Sequence, residues 1–228
     1  MNRRSLLLGS GAAVIAAGGY SAWSVMGGGD AAPGLTLIEP AAAQTATDAP
    51  LDLSRVEEMV LGNPDSPVEV IEFASYTCPH CATFHSGVFQ QLKREYIDTG
   101  LIRFVYREVY FDAYGLWAAL VARCGGPMRY FGISSMLYEE QGTWSRGADG
   151  AAVADNLRRI GRRAGMSDDE MNACLADRDL AMAMMQVYQN GVQEYGVRGT
   201  PSFVINGQLH SNMSFAEFQG ILNPLLGR

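Results

Sequence analysis

The sequence predicts an α/β protein in which a long helical segment interrupts a small sheet. A strand-like run at 68–73, a helical run at 81–97 and a second strand-like run at 101–109 together form one βαβ unit. The helical period dominates from about residue 113 to residue 195, and a last strand, a hairpin turn and a helix follow. With 228 residues and 48% hydrophobic content, the chain is large enough to bury a packed core.

The first 50 residues predict an export leader and a linker. Arg3 and Arg4 are followed by no further charge until Asp30, and 5–29 is apolar and rich in alanine and glycine. This pattern is typical of an export signal at 1–29, by the twin-arginine or the general secretory route. The apolar run also has the roughly 20 residues that an uncleaved membrane anchor needs. Residues 30–50 predict a flexible linker, and the rest of the chain is expected outside the cytoplasm, in the periplasm.

The charge and the cysteine count narrow the possible functions. The net charge of -7 argues against a nucleic-acid partner, because binding to phosphates needs a basic surface. Four cysteines are an even number, which suits one catalytic pair and one structural pair in an oxidising compartment.

The first predicted strand, 68–73, carries two acidic residues that cannot share a solvent-facing side. Glu69 and Glu72 are three positions apart, and side chains three apart on a strand point to opposite faces. One of them is therefore expected to be covered by the rest of the fold. A glutamate at a frayed strand edge is the alternative, because Glu is rarely fully buried.

Two cysteines separated by two residues stand where this strand ends and the next helix begins. Cys78 is expected at the helix N-terminus, where unpaired N–H groups and the helix dipole favour a thiolate. Pro79 suits the first helical position, and His80 can stabilise the thiolate as an imidazolium or as a hydrogen-bond donor. Cys81, one turn into the helix, would be the shielded resolving thiol. The pair predicts a redox-active dithiol.

Metal binding is the alternative for this pair. A structural zinc site usually needs a second pair of ligands at short spacing, but Cys124 and Cys174 stand far apart. His85 lies one turn after Cys81, which leaves a Cys/His site conceivable, although a packed or solvent-facing histidine is the simpler interpretation. The methionines at 182–185 could hold copper(I), but such clusters more often fill a core. We therefore predict no metal.

The predicted helices follow from apolar spacing. The helix at 81–97 has one apolar face formed by Phe84, Val88, Leu92 and Tyr96. After the second strand the same period recurs in the runs 117–121, 130–138, 153–164, 171–175 and 180–195, which glycines and Pro127 separate. Near the C-terminus, Asn206-Gly207 predicts a hairpin turn. Ser214 and Glu217 predict a capping box at the start of the last helix, 214–226.

Cys124 and Cys174 fall near the ends of two predicted helices. Two lone cysteines in an exported chain seldom stay free, so we expect a structural disulfide between them. The alternative is two buried, unpaired cysteines that pack as small apolar side chains.

Two separated motifs resemble one known family. The segment Glu72-Phe73-x-Ser75-Tyr76-x-Cys78-Pro79-His80-Cys81 is similar to the active-site signature of the DsbA-like thiol:disulfide oxidoreductases of the thioredoxin superfamily, and Thr200-Pro201 is similar to their second signature. The resemblance runs from about residue 51 to the C-terminus. It implies a thioredoxin-like fold with an inserted helical domain, in which 51–112 and 196–228 form the thioredoxin-like domain and 113–195 the insertion.

The resemblance also implies roles for residues outside the dithiol. It places an acid at Glu72 beneath the cysteines, from where a buried carboxyl could exchange a proton with Cys81. It implies that the Thr200–Pro201 bond is cis and lies against Cys78, so that an incoming peptide can pair with the Thr200 backbone. From the sequence alone, a trans turn proline remains the alternative.

The predicted function is a periplasmic dithiol oxidase that donates the Cys78–Cys81 disulfide to newly exported, reduced polypeptides. No bound cofactor is predicted, and the short linker favours a monomer over the dimeric isomerases of the superfamily. By family analogy, a DsbB-like, quinone-coupled membrane protein reoxidises the pair. The alternatives are a disulfide reductase or isomerase of the same fold, and a copper-binding or peptide-holding module.

Overall fold

A computed structural model of the protein describes residues 50–228, which belong to one compact unit. The predicted leader at 1–29 and the predicted linker up to residue 49 lie outside the described residues. Within residues 50–228, every helix is too short or too polar to cross a bilayer.

The described part is α/β, as the sequence predicts, with one five-stranded sheet. The strands are β1 (Met59–Gly62), β2 (Glu69–Ala74), β3 (Arg103–Glu108), β4 (Ser202–Ile205) and β5 (Gln208–Ser211). Their order in the sheet is β1-β3-β2-β4-β5; β2 and β3 are parallel and the other pairs antiparallel. The predicted βαβ unit is therefore present, and its first strand, β2, lies at the centre of the sheet.

Nine α-helices pack around this sheet in residues 50–228. They are α1 (Pro79–Ser86), α2 (Val88–Leu92), α3 (Ala113–Cys124), α4 (Pro127–Glu139), α5 (Gln141–Trp144), α6 (Gly150–Arg163), α7 (Asp168–Leu175), α8 (Arg178–Tyr195) and α9 (Phe215–Leu225). A 3₁₀ turn at Leu53–Arg55 precedes β1, and a π-helical turn at Lys93–Ile97 continues α2.

The prediction of one continuous helix at 81–97 is wrong in one respect. The helix is interrupted at Gly87, whose φ of -121° and ψ of -88° lie outside the helical region. Glycine adopts such a conformation readily because it has no Cβ. Phe84, Leu92 and Tyr96 are nevertheless buried on the predicted face, so the apolar pattern survives the break.

The two faces of β2 bury different side chains. Val70 and Ala74 belong to the large core that also contains Cys81, whereas Ile71 and Phe73 pack into a smaller core on the other face. Helix α8 covers that second face at close range, because a Cβ added at Gly191 would lie 3.1 Å from the Phe73 ring. The last helix of the predicted insertion thus packs on the sheet, and the division of the chain at 113 and 195 stays a prediction.

Two local predictions near the C-terminus are confirmed. Asn206 and Gly207 have φ values of 43° and 85°, so the turn between β4 and β5 carries two left-handed residues, as a two-residue hairpin requires. At α9, the Ser214 side chain accepts from the Glu217 N–H while the Glu217 carboxylate accepts from the Ser214 N–H.

Candidate active site

Cys78 lies at the N-terminus of α1, directly after the turn that follows β2. It is the N-cap residue, with the extended values φ -83° and ψ 118°, and Pro79 occupies the first turn of the helix. The Cys78 N–H donates to the Ser75 carbonyl at 3.1 Å, which closes the turn. Pro79 and His80 are exposed, whereas only 8% of Cys78 is exposed.

The surroundings of Cys78 favour its thiolate. A hydrogen bond from the Cys81 thiol contributes most, and Thr200 and the backbone N–H groups of Cys81 and His80 add to it. Together these groups lower the pKa of Cys78 to about 5 against the opposing effect of burial. The group of His80 that acts on the sulfur is thus its backbone N–H, and the role predicted for the exposed imidazole stays a prediction.

Cys81 has the opposite character. It is fully buried one turn along α1. Its hydrogen bond to the Cys78 sulfur holds the pKa of Cys81 well above the ordinary range, and burial and the nearby charge of Glu72 raise it further. In the reduced pair the negative charge therefore belongs on Cys78 and the proton on Cys81.

The Thr200–Pro201 loop reaches the dithiol from the far end of the chain. The bond between these residues is cis, and the Cys78 sulfur lies 3.4 Å from the Thr200 carbonyl oxygen, across 122 positions of sequence. A cavity of about 520 Å³ opens beside the loop between 196–202 and strand β5. The Thr200 hydroxyl is buried there without a hydrogen-bond partner among the described residues.

Of the two acids on β2, Glu72 is the buried one. It is fully enclosed on the same face as Cys81, whereas Glu69 is half-buried and forms an ion pair with Arg103. The expectation that one of the two is covered is confirmed. One carboxylate oxygen of Glu72 lies 3.1 Å from His85 Nε2, and the other has no partner within residues 50–228.

Gln141 is a site residue that the sequence analysis missed. Its side-chain amide donates to the carbonyls of Tyr76 and Cys78 at 2.8 and 3.0 Å, and so joins α5 to the turn that carries the dithiol. A glutamine 63 positions away in a helical segment gives no signal of this contact. His85, by contrast, was indicated by its spacing of one turn from Cys81, but as a conceivable metal ligand.

Cys124 and Cys174 lie outside this site. They form a disulfide between the end of α3 and α7, with a Cα–Cα distance of 6.1 Å, which is within the usual range for such a bond. Met182 is exposed and Met184 is buried in the core, so the methionine run at 182–185 does not line one surface. In the part of the chain that the structure describes, His, Cys, Asp and Glu form no group of three able to hold a metal ion.

Comparison with known proteins agrees with this geometry. A family model described as Thioredoxin matches residues 54–224. A Rickettsia bellii protein named as a candidate protein-disulfide oxidoreductase is 35% identical over 174 residues, which are 74% of this chain and 64% of the relative. The chain thus spans less than two thirds of that relative's length.

Solved structures show the same similarity. Wolbachia pipientis alpha-DsbA1 superposes with a TM-score of 0.70 at 27% identity, over 75% of this chain and 92% of that one. A protein-disulfide isomerase from Novosphingobium aromaticivorans superposes with a TM-score of 0.67 at 26% identity, over 75% and 98% of the two chains. With the dithiol at a helix N-terminus and a cis-proline loop against it, the chain belongs to the thioredoxin family, and its fold is similar to that of DsbA proteins.

Proposed function

We propose that the protein is a thiol:disulfide oxidoreductase that works as an oxidase and donates the Cys78–Cys81 disulfide to newly exported polypeptides. One observation carries the direction of transfer: the site holds the pKa of Cys78 at about 5 while Cys81 keeps its proton. Stabilising the Cys78 thiolate stabilises the reduced pair, so the oxidised pair accepts electrons readily.

The reaction proceeds in two exchanges. A substrate thiolate attacks the Cys78 sulfur; the new substrate–Cys78 disulfide forms, the Cys78–Cys81 bond breaks, and Cys81 leaves with the electron pair and takes a proton. A second substrate thiolate then attacks the substrate sulfur of the mixed disulfide, and Cys78 leaves as its stabilised thiolate. Two electrons pass from the substrate dithiol to the protein.

The cavity beside the Thr200–Pro201 loop suits an extended polypeptide as substrate. It lies at the edge of the sheet, where β5 has one unpaired side, and Leu209 adds an exposed apolar contact. These features favour backbone pairing with loose sequence specificity over recognition of one small thiol. Pro79 and His80 would form the exposed rim of the site, and Glu72 its buried acid.

The remaining parts of the proposal concern location and partners. The charge pattern of residues 1–29 supports export to the periplasm. Each turnover leaves a reduced dithiol, so an acceptor of two electrons and two protons is required. A DsbB-like, quinone-coupled membrane oxidant fits this need in a DsbA-like protein.

The equilibrium of the Cys78/Cys81 pair with glutathione tests the oxidase role. We expect a reduction potential above about -180 mV, the value typical of protein disulfide isomerase. A potential near that of thioredoxin, about -270 mV, would refute the role. In a Cys81→Ala variant, the Cys78 thiolate should attack a disulfide of an unfolded polypeptide, release one substrate thiol and stay trapped as a mixed disulfide, because the resolving thiol is missing. Cys78→Ser should trap none.

An isomerase or reductase is the second candidate, because one similar structure is titled as a protein-disulfide isomerase. Two rates with the same substrate decide between the candidates: the rate at which the reduced protein rearranges scrambled disulfides, and the rate at which the oxidised protein oxidises the reduced substrate. A faster rearrangement would favour the isomerase or reductase. The opposite ratio supports the oxidase.

A further inference from the structure

The exchange described above leaves a buried proton to be moved. Whenever the Cys78–Cys81 bond is broken, Cys81 must gain a proton, and whenever it is re-formed, Cys81 must lose one. Cys81 and the neighbouring acid Glu72 are both fully buried. Neither can exchange protons directly with bulk water, so a third group has to connect them to the surface.

His85 occupies the position that such a group needs. Its Nε2 lies 3.1 Å from one carboxylate oxygen of Glu72, and it stands on α1 one turn after Cys81. The second oxygen of Glu72 is enclosed and has no partner in the described part of the chain, so it is not committed to another donor. The Glu72 charge acts on Cys81, since it contributes to the raised pKa of that thiol.

The His85 ring packs against aromatic side chains at the edge of a cavity. The ring stacks on Tyr138 at 4.1 Å between centroids and packs against Phe89 at 4.5 Å, which fixes its plane. It also lines a surface cavity of about 270 Å³ between α1 and α4, with Ser86 and Gln90 at the cavity wall. His85 is 7% exposed, whereas Glu72 is fully enclosed.

We propose that His85 is a positioning residue that relays protons between this cavity and Cys81 by way of Glu72. When Cys81 leaves the disulfide, His85 passes a proton to the Glu72 carboxylate, the carboxyl passes it on to the Cys81 sulfur, and His85 regains one from water in the cavity. The steps reverse when the pair is reoxidised. The inference rests on the proposed function, which requires this exchange at every turnover.

Other titratable groups surround His85, and none replaces it in this path. From the elements packed against the ring they are Glu72 on β2, Cys81 on α1, Tyr106 on β3, Tyr138 and Glu139 on α4, and Lys93 in the π-helical turn. Burial keeps the pKa of both tyrosine hydroxyls well above the ordinary range, and these hydroxyls bond to each other. Glu139 and Lys93 each line a cavity that His85 also lines, and protons would enter from water there.

Three variants separate proton relay from packing. His85→Gln keeps a side-chain hydrogen bond but cannot carry a proton, His85→Phe keeps a ring beside Tyr138, and His85→Ala extends the cavity so that added imidazole can enter. Thr83→Ala, exposed on the same helix, is the matched control. The oxidised full-length protein is mixed with a dithiol peptide, and release of Cys81 is followed by rapid alkylation across about pH 5–8, the range in which imidazoles exchange protons.

We expect His85→Gln and His85→Phe to slow Cys81 release by about 10- to 100-fold and to change its pH profile, because assisted proton transfer contributes at least this much. Thr83→Ala should keep both rate and profile, and imidazole should accelerate His85→Ala in proportion to its concentration. Unchanged rates, or one uniform slowing at every pH without a response to imidazole, would overturn the relay. If His85→Ala does not fold, the Gln and Phe variants decide by their pH profiles. Failure of the unmodified protein to oxidise the peptide would instead refute the proposed function.

Discussion

The acidity of Cys78 depends on its partner cysteine more than on any other single group. The Cys81 thiol donates to the Cys78 sulfur, and this bond is the largest contribution to the lowered pKa. The backbone N–H groups at the start of α1 act in the same direction, as expected for an anion at a helix N-terminus. Cys78 is thus the charged acceptor and Cys81 the neutral donor. Replacing the donor should destabilise the Cys78 thiolate and raise the pKa of Cys78.

Cys81→Ala is therefore expected to raise the pKa of Cys78 from about 5. A hydrogen bond to a charged group contributes about 1.5–3 kcal/mol, which corresponds to a rise of about 1 to 2 pKa units. Cys81→Ser keeps a hydroxyl donor and should produce a smaller rise. Titration of the thiolate absorbance of Cys78 measures all three values. A pKa that is the same in the Ala, Ser and unmodified proteins would show that the helix terminus alone sets it.

At the scale of elements, the sequence predicted those parts of the site that local physical chemistry determines. A strand that ends shortly before Cys78 and a helix that begins at Pro79 follow from apolar spacing and from the preference of proline for the first helical turn. The break at Gly87 was not predicted, because the apolar face continues across it without a change of period. The contact between α5 and the dithiol turn was not predictable either, since it depends on how the helices after β3 fold back.

Gln141→Ala tests the importance of that contact. The substitution removes the donor to the Tyr76 and Cys78 carbonyls, and we expect the free energy of unfolding to fall by about 2 kcal/mol because two partly buried acceptors lose their partner. Urea denaturation measures the change. Gln186→Ala, whose amide bonds to Asn190 one turn along α8, is the control and should change stability by less than about 0.5 kcal/mol. Equal losses in the two variants would mean that α5 does not support the dithiol turn.

At the scale of the whole molecule, the site joins two motifs that are 122 positions apart. Spacing and propensity predict each motif separately, but nothing local to Thr200-Pro201 indicates that it meets Cys78. Only the resemblance to a known family predicted that meeting. His85 shows the same limit, because its spacing from Cys81 was visible in the sequence while its bond to Glu72 depends on which acid the fold buries.

The bond between Cys124 and Cys174 joins α3 to α7 across 50 positions. On the chain-entropy account, closing a loop of this length contributes about 4 kcal/mol to stability, so the Cys124→Ala/Cys174→Ala double variant should lose about that amount in urea denaturation. Mass spectrometry of peptides from the non-reduced protein provides the independent check. Recovery of Cys124 in a free peptide from native protein would contradict the pairing.

The last prediction concerns the stability of the two redox states of the whole protein. Because the folded protein lowers the pKa of Cys78 to about 5, while an unfolded cysteine titrates near 8.5, the reduced state gains stability from the thiolate. This gain is fully present above about pH 8.5, decreases as the pH falls, and is lost below about pH 5. The oxidised state has no thiolate at Cys78 and does not share it.

Between pH 5 and pH 7, we therefore expect the free energy of unfolding of the reduced protein to rise by about 1–3 kcal/mol relative to that of the oxidised protein. This energy range allows for solvent screening of the sulfur. Urea midpoints of both states, measured at a series of pH values with Cys124–Cys174 intact, test this. The Cys78→Ala variant keeps the Cys81 thiol but has no thiolate at position 78. Its free energy of unfolding should therefore not show this pH-dependent gain. If the difference between the two states of the unmodified protein did not change with pH, the charge on Cys78 could not be what drives electrons from substrate to protein.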